Sequence, residues 1–371
     1  MTSVSLTADL KQEAHRLGFT LSGVTPAVTP EGISRFSEWL DSGYAGEMLY
    51  LPNRQAAYRH PQHVLEGVRS LLMLGMNYGT VAPAETGPGE GRISRYAWGT
   101  DYHDMIRERL NALAAWLQAA EPAADVRGVI DTAPLLEREF AQAAGLGWVG
   151  KNTMLISRTE GSWFFLAALL TDLPLDYDER FEGEYCGTCT ACLEACPTDA
   201  FVEPYVLDSR RCISYLTIEL KSAISQELRE GVGDWLFGCD ICQDVCPWNR
   251  QAPSSCEPTF QAAVDSNPIA LIPLFEMTDE AFRQRFRHTP LWRPRRRGIL
   301  RNAAIVLGNR LLPEAVPALM RGLNDEEPLV RGAAAWALGK HSQPAAEAAL
   351  KSRLAIEQDD QVREEIRRAL S

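Results

Sequence analysis

The chain has 371 residues, 46% hydrophobic and 23% charged, with a net charge of −12. That length predicts two or three domains, and the composition excludes an intrinsically disordered chain. The longest purely apolar stretch, residues 163–170, is far short of a membrane span, and the acidic balance argues against non-specific nucleic-acid binding.

The N-terminus shows neither a signal-peptide apolar region nor a twin arginine, so a cytoplasmic location is expected. Leu10, Ala14 and Leu17 share one helical face, and Gly18 is the expected stop. SLLMLGMNYG (70–79) and VRGVIDT (126–132) read as buried strands, and residues 81–92 as a turn-rich loop. Residues 103–118 and 134–145 read as amphipathic helices, the second with proline in its first turn and glycine at its end. Residues 1–175 are expected to form one α/β domain of mixed topology. Residues 176–260 hold the cysteine runs, and 261–371 an arginine-rich segment and helices. In the latter, RNAAIVLGNR (301–310) is echoed by RGAAAWALGK (331–340), the spacing of a HEAT-type helix-pair repeat. Two repeats are few, so this block is expected to pack on the domain before it.

Nine cysteines in an unexported chain are not expected to form disulfides. CGTCTACLEACP places Cys186, Cys189, Cys192 and Cys196 at the spacing C-x2-C-x2-C-x3-C-P. In that pattern three thiolates hold one [4Fe-4S] cluster and the fourth crosses to another. Tetrahedral zinc is the disfavoured alternative, because the run is too crowded for it. The second run, CDICQDVCP, has only Cys239, Cys242 and Cys246. By the crossover rule Cys246 completes the first cluster, while Cys196, Cys239 and Cys242 begin the second. Two cubanes need eight thiolates, so Cys212 is the expected eighth and Cys256 the spare. The pair forms an electron wire, too small a job for a chain of this length, so the first domain is expected to hold the acceptor.

Outside the cysteines, GLGWVGKN (145–152) fits the dinucleotide pattern G-x-G-x-x-G but follows a helix. A close approach to some other cofactor is expected there. Asp131, at the end of a strand, is placed as catalytic acids often are, with an N-cap for the next helix as the plain alternative. The stretch 94–105 concentrates Arg95, Trp98, Asp101, Tyr102 and His103. Arg283, Arg285, Arg287, Arg293, Arg295, Arg296, Arg297 and Arg301 form a basic patch suited to phosphate, with Trp292 placed either to stack on a base or to join the core.

RYAWGTDYHD, VIDTAPLLEREFAQAAGLGWVGKNTMLI, GSWFFLAALL, RCISYLT and both cysteine runs together resemble the epoxyqueuosine reductase family, over essentially the whole chain. That family carries out the last step of queuosine formation in tRNA. The resemblance implies an α+β multidomain fold: an N-terminal cobalamin-binding domain, a ferredoxin-like two-[4Fe-4S] module and HEAT-like repeats. It further implies cobalamin bound without a protein histidine on cobalt, and Asp131 as proton donor. Ser94, Asp131, Leu155, Leu166, Leu169, Ser214 and Asp240 would contact the cofactor; Leu136, Glu137 and Arg138 would face tRNA, with Arg285, Arg295, Arg296 and Arg297 as further contacts. An unidentified low-potential donor would supply the electrons. Tyr58 stands where relatives carry an arginine, leaving Arg59 as its possible substitute. A reductive dehalogenase-like enzyme, or a non-catalytic electron-transfer or tRNA-binding protein, is the alternative reading.

Overall fold

The computed structural model describes residues 5–263 and 265–371. Helix α1 (Leu6–Arg16) is capped by Ser5, which accepts from the Ala8 N–H at 3.3 Å, and ends before Gly18 at φ +91°. Strands β1 (Leu21–Pro26) and β2 (Ser70–Asn77) lead to the long helix α2 (Tyr102–Ala120), then β3 (Val126–Ile130), α3 (Glu137–Ala143) and β4 (Phe164–Thr171). The sheet order is β1-β2-β4-β3, and every neighbouring pair is antiparallel.

The expected mixed topology is therefore corrected. The β2–α2–β3 unit does alternate as an α/β fold would, but β4 inserts antiparallel between its two strands, a split βαβ arrangement. Helix α3 also starts later than expected: residues 133–136 form a turn, and Leu136, not Asp131, occupies the cap position.

Alternation along the strands splits the core into two layers. Leu72, Leu74, Ala167 and Leu169 pack beneath α1 and α2 with Leu10, Leu110 and Leu113. Leu71, Met73, Ala168 and Leu170 face Phe140 and Ala141 of α3. With both faces covered, residues 71–74 lose all contact with water. Each such side chain contributes about 1.5–3 kcal/mol of transfer free energy, which is why the strand reads as continuously apolar.

The three expected segments are not separate bodies. Strand Glu90–Ile93 pairs in parallel with Trp235–Phe237 of the cysteine region and antiparallel with Ile269–Ala270 beyond it. The boundary expected at 260 falls inside the first domain's core: Ser255 donates to the Gly79 carbonyl at 2.6 Å, and Phe260 lies 5.2 Å from Phe165.

At the C-terminus, α4 (Arg295–Asn309), α5 (Pro328–Lys340) and α6 (Asp360–Leu370) stack in succession. Asn302 fixes α4 to the cysteine region by donating to the Thr217 and Leu236 carbonyls at 2.8 and 2.9 Å. Its neighbour Arg301 is 1% exposed and donates to the carbonyls of Leu216, Leu220 and Ser222. That corrects the expectation of a phosphate-facing Arg301. The echoed Arg331 is likewise internal, paired with Glu357 at 2.8 Å.

Candidate functional site

The two cysteine runs fold alike. Helix Ala191–Glu194 is embedded in the first and Ile241–Asp244 in the second, and the two helices pack together. All nine cysteines are free thiols, with Cys189 and Cys256 exposed. Burial is the main cause raising the pKa of Cys192, Cys239, Cys242 and Cys246, and the mutual repulsion of thiolates adds to it along a pattern. Cys192 feels Cys186, Cys246 and Cys189, and Cys246 feels Cys186 and Cys189. Cys239 feels Cys242 and Cys212, while Cys242 feels Cys212 most, then Cys192 and Cys196. Packing divides them the same way: Cys186 and Cys246 share a small core with Trp148, whereas Cys212 and Cys239 line the large C-terminal core. This is the pattern expected if Cys186, Cys189, Cys192 and Cys246 hold one cluster and Cys196, Cys212, Cys239 and Cys242 the other. The two sets are adjacent at Cys192 and Cys242. This donor set fits two four-iron clusters.

Two residues not singled out by the sequence hold both loops. Lys151 donates to the Gly187 and Cys189 carbonyls at 2.7 and 3.0 Å, and Asn152 to the Cys242 carbonyl at 3.2 Å. The glycine run before them does not approach a cofactor, which corrects that expectation. A Cβ on Gly147 would sit 2.0 Å from the Ile156 carbonyl oxygen, and one on Gly145 2.8 Å from that of Glu179, so protein backbone fills the space.

Asp131 follows β3 directly and keeps 44% of its side chain accessible. Tyr102, at the first turn of α2, donates its hydroxyl to one carboxylate oxygen, and the ring of Tyr102 stacks on Phe165 at 4.0 Å. His103 Nε2 lies 2.8 Å from the other oxygen, and its Nδ1 lies 2.7 Å from Asp101. Burial lowers the pKa of His103, but the two carboxylates outweigh it and push it up to about 9. Burial raises Asp131, yet the His103 hydrogen bond and charge leave it below the ordinary carboxylate range. An imidazolium thus stands against an ionised Asp131 at neutral pH. Next along the chain, burial and the Asp131 charge push Glu137 up to about 8, so it is protonated there. Arg138 follows Glu137 on the same helix and is exposed beside the loop.

The remaining expected contacts fare differently. Ser94 donates to Asp240, which also accepts from the Arg95 N–H at 2.8 Å. This buried pair ties the strand end to the second cysteine loop, and burial pushes Asp240 up to about 6. Ser214 lies in the first turn of the helix Ile213–Ile218 that Cys212 caps. Leu155 is 3% exposed, Leu166 half-buried and Leu136 half-buried beside the loop. Leu169 is a correction: its side chain is wholly enclosed beneath α2 and meets no cleft. Tyr58 is buried against Phe36 at 4.8 Å, while Arg59 is exposed.

Of the arginine segment, Arg283, Arg285, Arg287, Arg293, Arg295 and Arg297 are exposed. Arg296 is a correction, since Asp325 takes its guanidinium at 2.6 Å and the Met277 carbonyl at 3.0 Å. Arg295 lies over Trp292 at 4.0 Å, and Trp292 stacks on Phe282, so that ring is support for the patch and not a free platform. Arg293 pairs with Glu219 at 2.5 Å, and its charge reaches Asp131.

Paired thiol sets beside a carboxylate-bearing cleft define an iron–sulfur oxidoreductase. Residues 185–249 match the family of 4Fe-4S double cluster binding domains, 59–132 match "Epoxyqueuosine reductase QueG, DUF1730", and 296–371 match HEAT repeats. The chain is 41% identical over 347 residues to an epoxyqueuosine reductase of Pseudomonas aeruginosa, covering 91% of this chain and 95% of that one. It is 39% identical over 339 residues to that of Escherichia coli, covering 90% and 89%. Its fold is similar, with a TM-score of 0.92 and 31% identity over 98% of both chains, to a solved epoxyqueuosine reductase holding an epoxyqueuosine-modified tRNA-Tyr stem loop. A Bacillus subtilis epoxyqueuosine reductase with its catalytic aspartate loop swung out of the active site matches equally, at 0.92 and 30%. The chain belongs to the epoxyqueuosine reductase family.

Proposed function

We propose that this protein reduces epoxyqueuosine to queuosine in tRNA, with electrons passing from a cluster on the outer set, Cys186, Cys189, Cys192 and Cys246, to one on the inner set, Cys196, Cys212, Cys239 and Cys242, and on to bound cobalamin. The observation that carries the chemistry is the Asp131 constellation, a half-exposed carboxylate held by the Tyr102 hydroxyl and the His103 imidazolium. Leu155, Leu166, Ser214 and the Ser94–Asp240 pair would border the corrinoid. Cobalamin, when bound and reduced, supplies the low-valent cobalt that opens the epoxide.

The six histidines lie in varied surroundings. His103 is held by two aspartates, His60 caps a turn at Gln62, His288 accepts from Arg287, His341 is buried, and His15 and His63 lie on other elements. The reaction breaks both C–O bonds of the epoxide, takes up two electrons and two protons, and leaves an alkene and water. Asp131 would pass one proton to the ring oxygen, drawn from the His103 imidazolium behind it. Glu137, held protonated, would give the second. Arg138, Arg285, Arg295 and Arg297 would meet tRNA phosphates. No helix among the described residues is long and apolar enough to cross a membrane, and a cytoplasmic setting suits the free thiols.

The test is anaerobic conversion of an epoxyqueuosine anticodon stem-loop by the reconstituted holoenzyme, read by nucleoside mass. Queuosine is the expected product. A corrinoid-loaded, eight-iron protein that leaves the epoxide intact would overturn the reading.

A further inference from the structure

Behind the loop that carries Asp131 lies a cavity of about 380 Å³, outside the cleft. Its floor is β3, the edge strand of the sheet, and Thr132 of the loop forms part of its wall. Arg54, His63, Arg107 and Arg127 line it, and no aspartate or glutamate does. Arg54 donates to the Thr132 carbonyl at 2.8 Å and Arg127 to the Val64 carbonyl at 2.7 Å. Among the described residues neither has a carboxylate within ion-pair distance. Arg107 has one, Asp104 at 3.0 Å, but the two side chains are 58% and 74% exposed and hold each other weakly.

Three exposed arginines therefore line one cavity of a chain whose net charge is −12, and carbonyls alone do not neutralise them. A planar fork of this kind matches a phosphate oxygen pair better than a point cation would. The cavity shares a wall with the loop whose aspartate faces the substrate. Its anion must therefore be one that arrives together with the substrate base. We infer that the cavity seats a backbone phosphodiester of the RNA, next to the nucleotide whose base enters the cleft. This inference rests on the tRNA reading above. Filling the cavity fixes Arg54, and through the Thr132 carbonyl it braces the Asp131 loop in its inward position.

The experiment uses the reconstituted holoenzyme and an epoxyqueuosine stem-loop. Arg54→Gln with Arg127→Gln should weaken stem-loop binding at least tenfold at low salt. It should also flatten the slope of log K against log salt by about 1.4, two contacts at ~0.7 each. Arg54→Lys with Arg127→Lys should keep most of both. Independently of any mutation, a neutral methylphosphonate linkage beside the modified nucleotide should weaken binding to the wild type about tenfold, and weaken the glutamine pair no further. Unchanged affinity and slope, or a methylphosphonate without effect on the wild type, would overturn the inference. So would loss of corrinoid at undiminished RNA affinity, which would hand the cavity to the cofactor's own phosphodiester. Failure of the wild type to convert the stem-loop would instead strike the reading beneath it.

Discussion

His103 and Asp131 share a hydrogen bond of 2.8 Å although 28 residues separate them. The contact exists because α2 begins beside the end of β3, two elements that pack directly on one another. Asp131 alone would be a poor acid at neutral pH, since its pKa is held down; the imidazolium behind it makes it a conduit. Asp131→Asn should keep both clusters and cobalamin and lower the single-turnover rate by about 10²–10⁴-fold. Iron, corrinoid and product measured on one preparation check this.

The same pair sets a pH dependence. His103 is raised from 6.5 to about 9, so its contribution to stability is full below 6.5 and disappears as pH rises through about 9. Asp101 and Asp131 face the ring and remain ionised across this window, and Arg107 further lowers Asp101. Turnover should therefore fall on the alkaline side in two steps, near 8 as Glu137 ionises and near 9 as His103 deprotonates. Glu137→Gln should remove the lower step, seen in the single-turnover rate against pH.

Cys212 lies in the inner thiol set and Cys256 in neither. Replacing Cys212 with serine should remove about one cluster's worth of iron, four of eight atoms, whereas Cys256→Ser should leave iron unchanged. Iron per chain and the visible absorbance decide it.

The arginine segment divides into structural and exposed members, and the two kinds should fail differently. Arg301→Ala strands three buried carbonyls and should cost about 3–5 kcal/mol of stability, a clear fall in Tm. Arg285→Ala should leave Tm unchanged, weaken stem-loop binding several-fold and reduce its salt dependence.

Which parts of this were legible follows a physical line. The spacing of Cys186 to Cys196, the stop at Gly18 and the buried run of β2 are local patterns, and local patterns are written in sequence. The split of the sheet by β4 is not, because strand order depends on which long connection closes first. Arg301 and Arg285 look alike in a basic run; only the docking of α4 against the Leu216 and Leu220 carbonyls separates them. Asp131 and His103 could each be singled out, one from its strand-end position and one from the polar stretch 94–105, but not their pairing. Lys151 and Asn152 were hidden behind a glycine pattern that suggested a ligand and serves a tight hairpin instead.

The exposure of Cys189, against the half-buried Cys196, Cys212, Cys239 and Cys242, makes the two thiol sets unequal towards oxygen. Oxidants reach a surface sulfur first. In air the outer cluster should therefore decay before the inner one. The protein would pass through a folded, half-loaded state, severed from its reductant with its reaction chamber intact. Air exposure should accordingly silence this enzyme at its electrical inlet first. Anaerobic refilling with iron and sulfide should restore it without refolding.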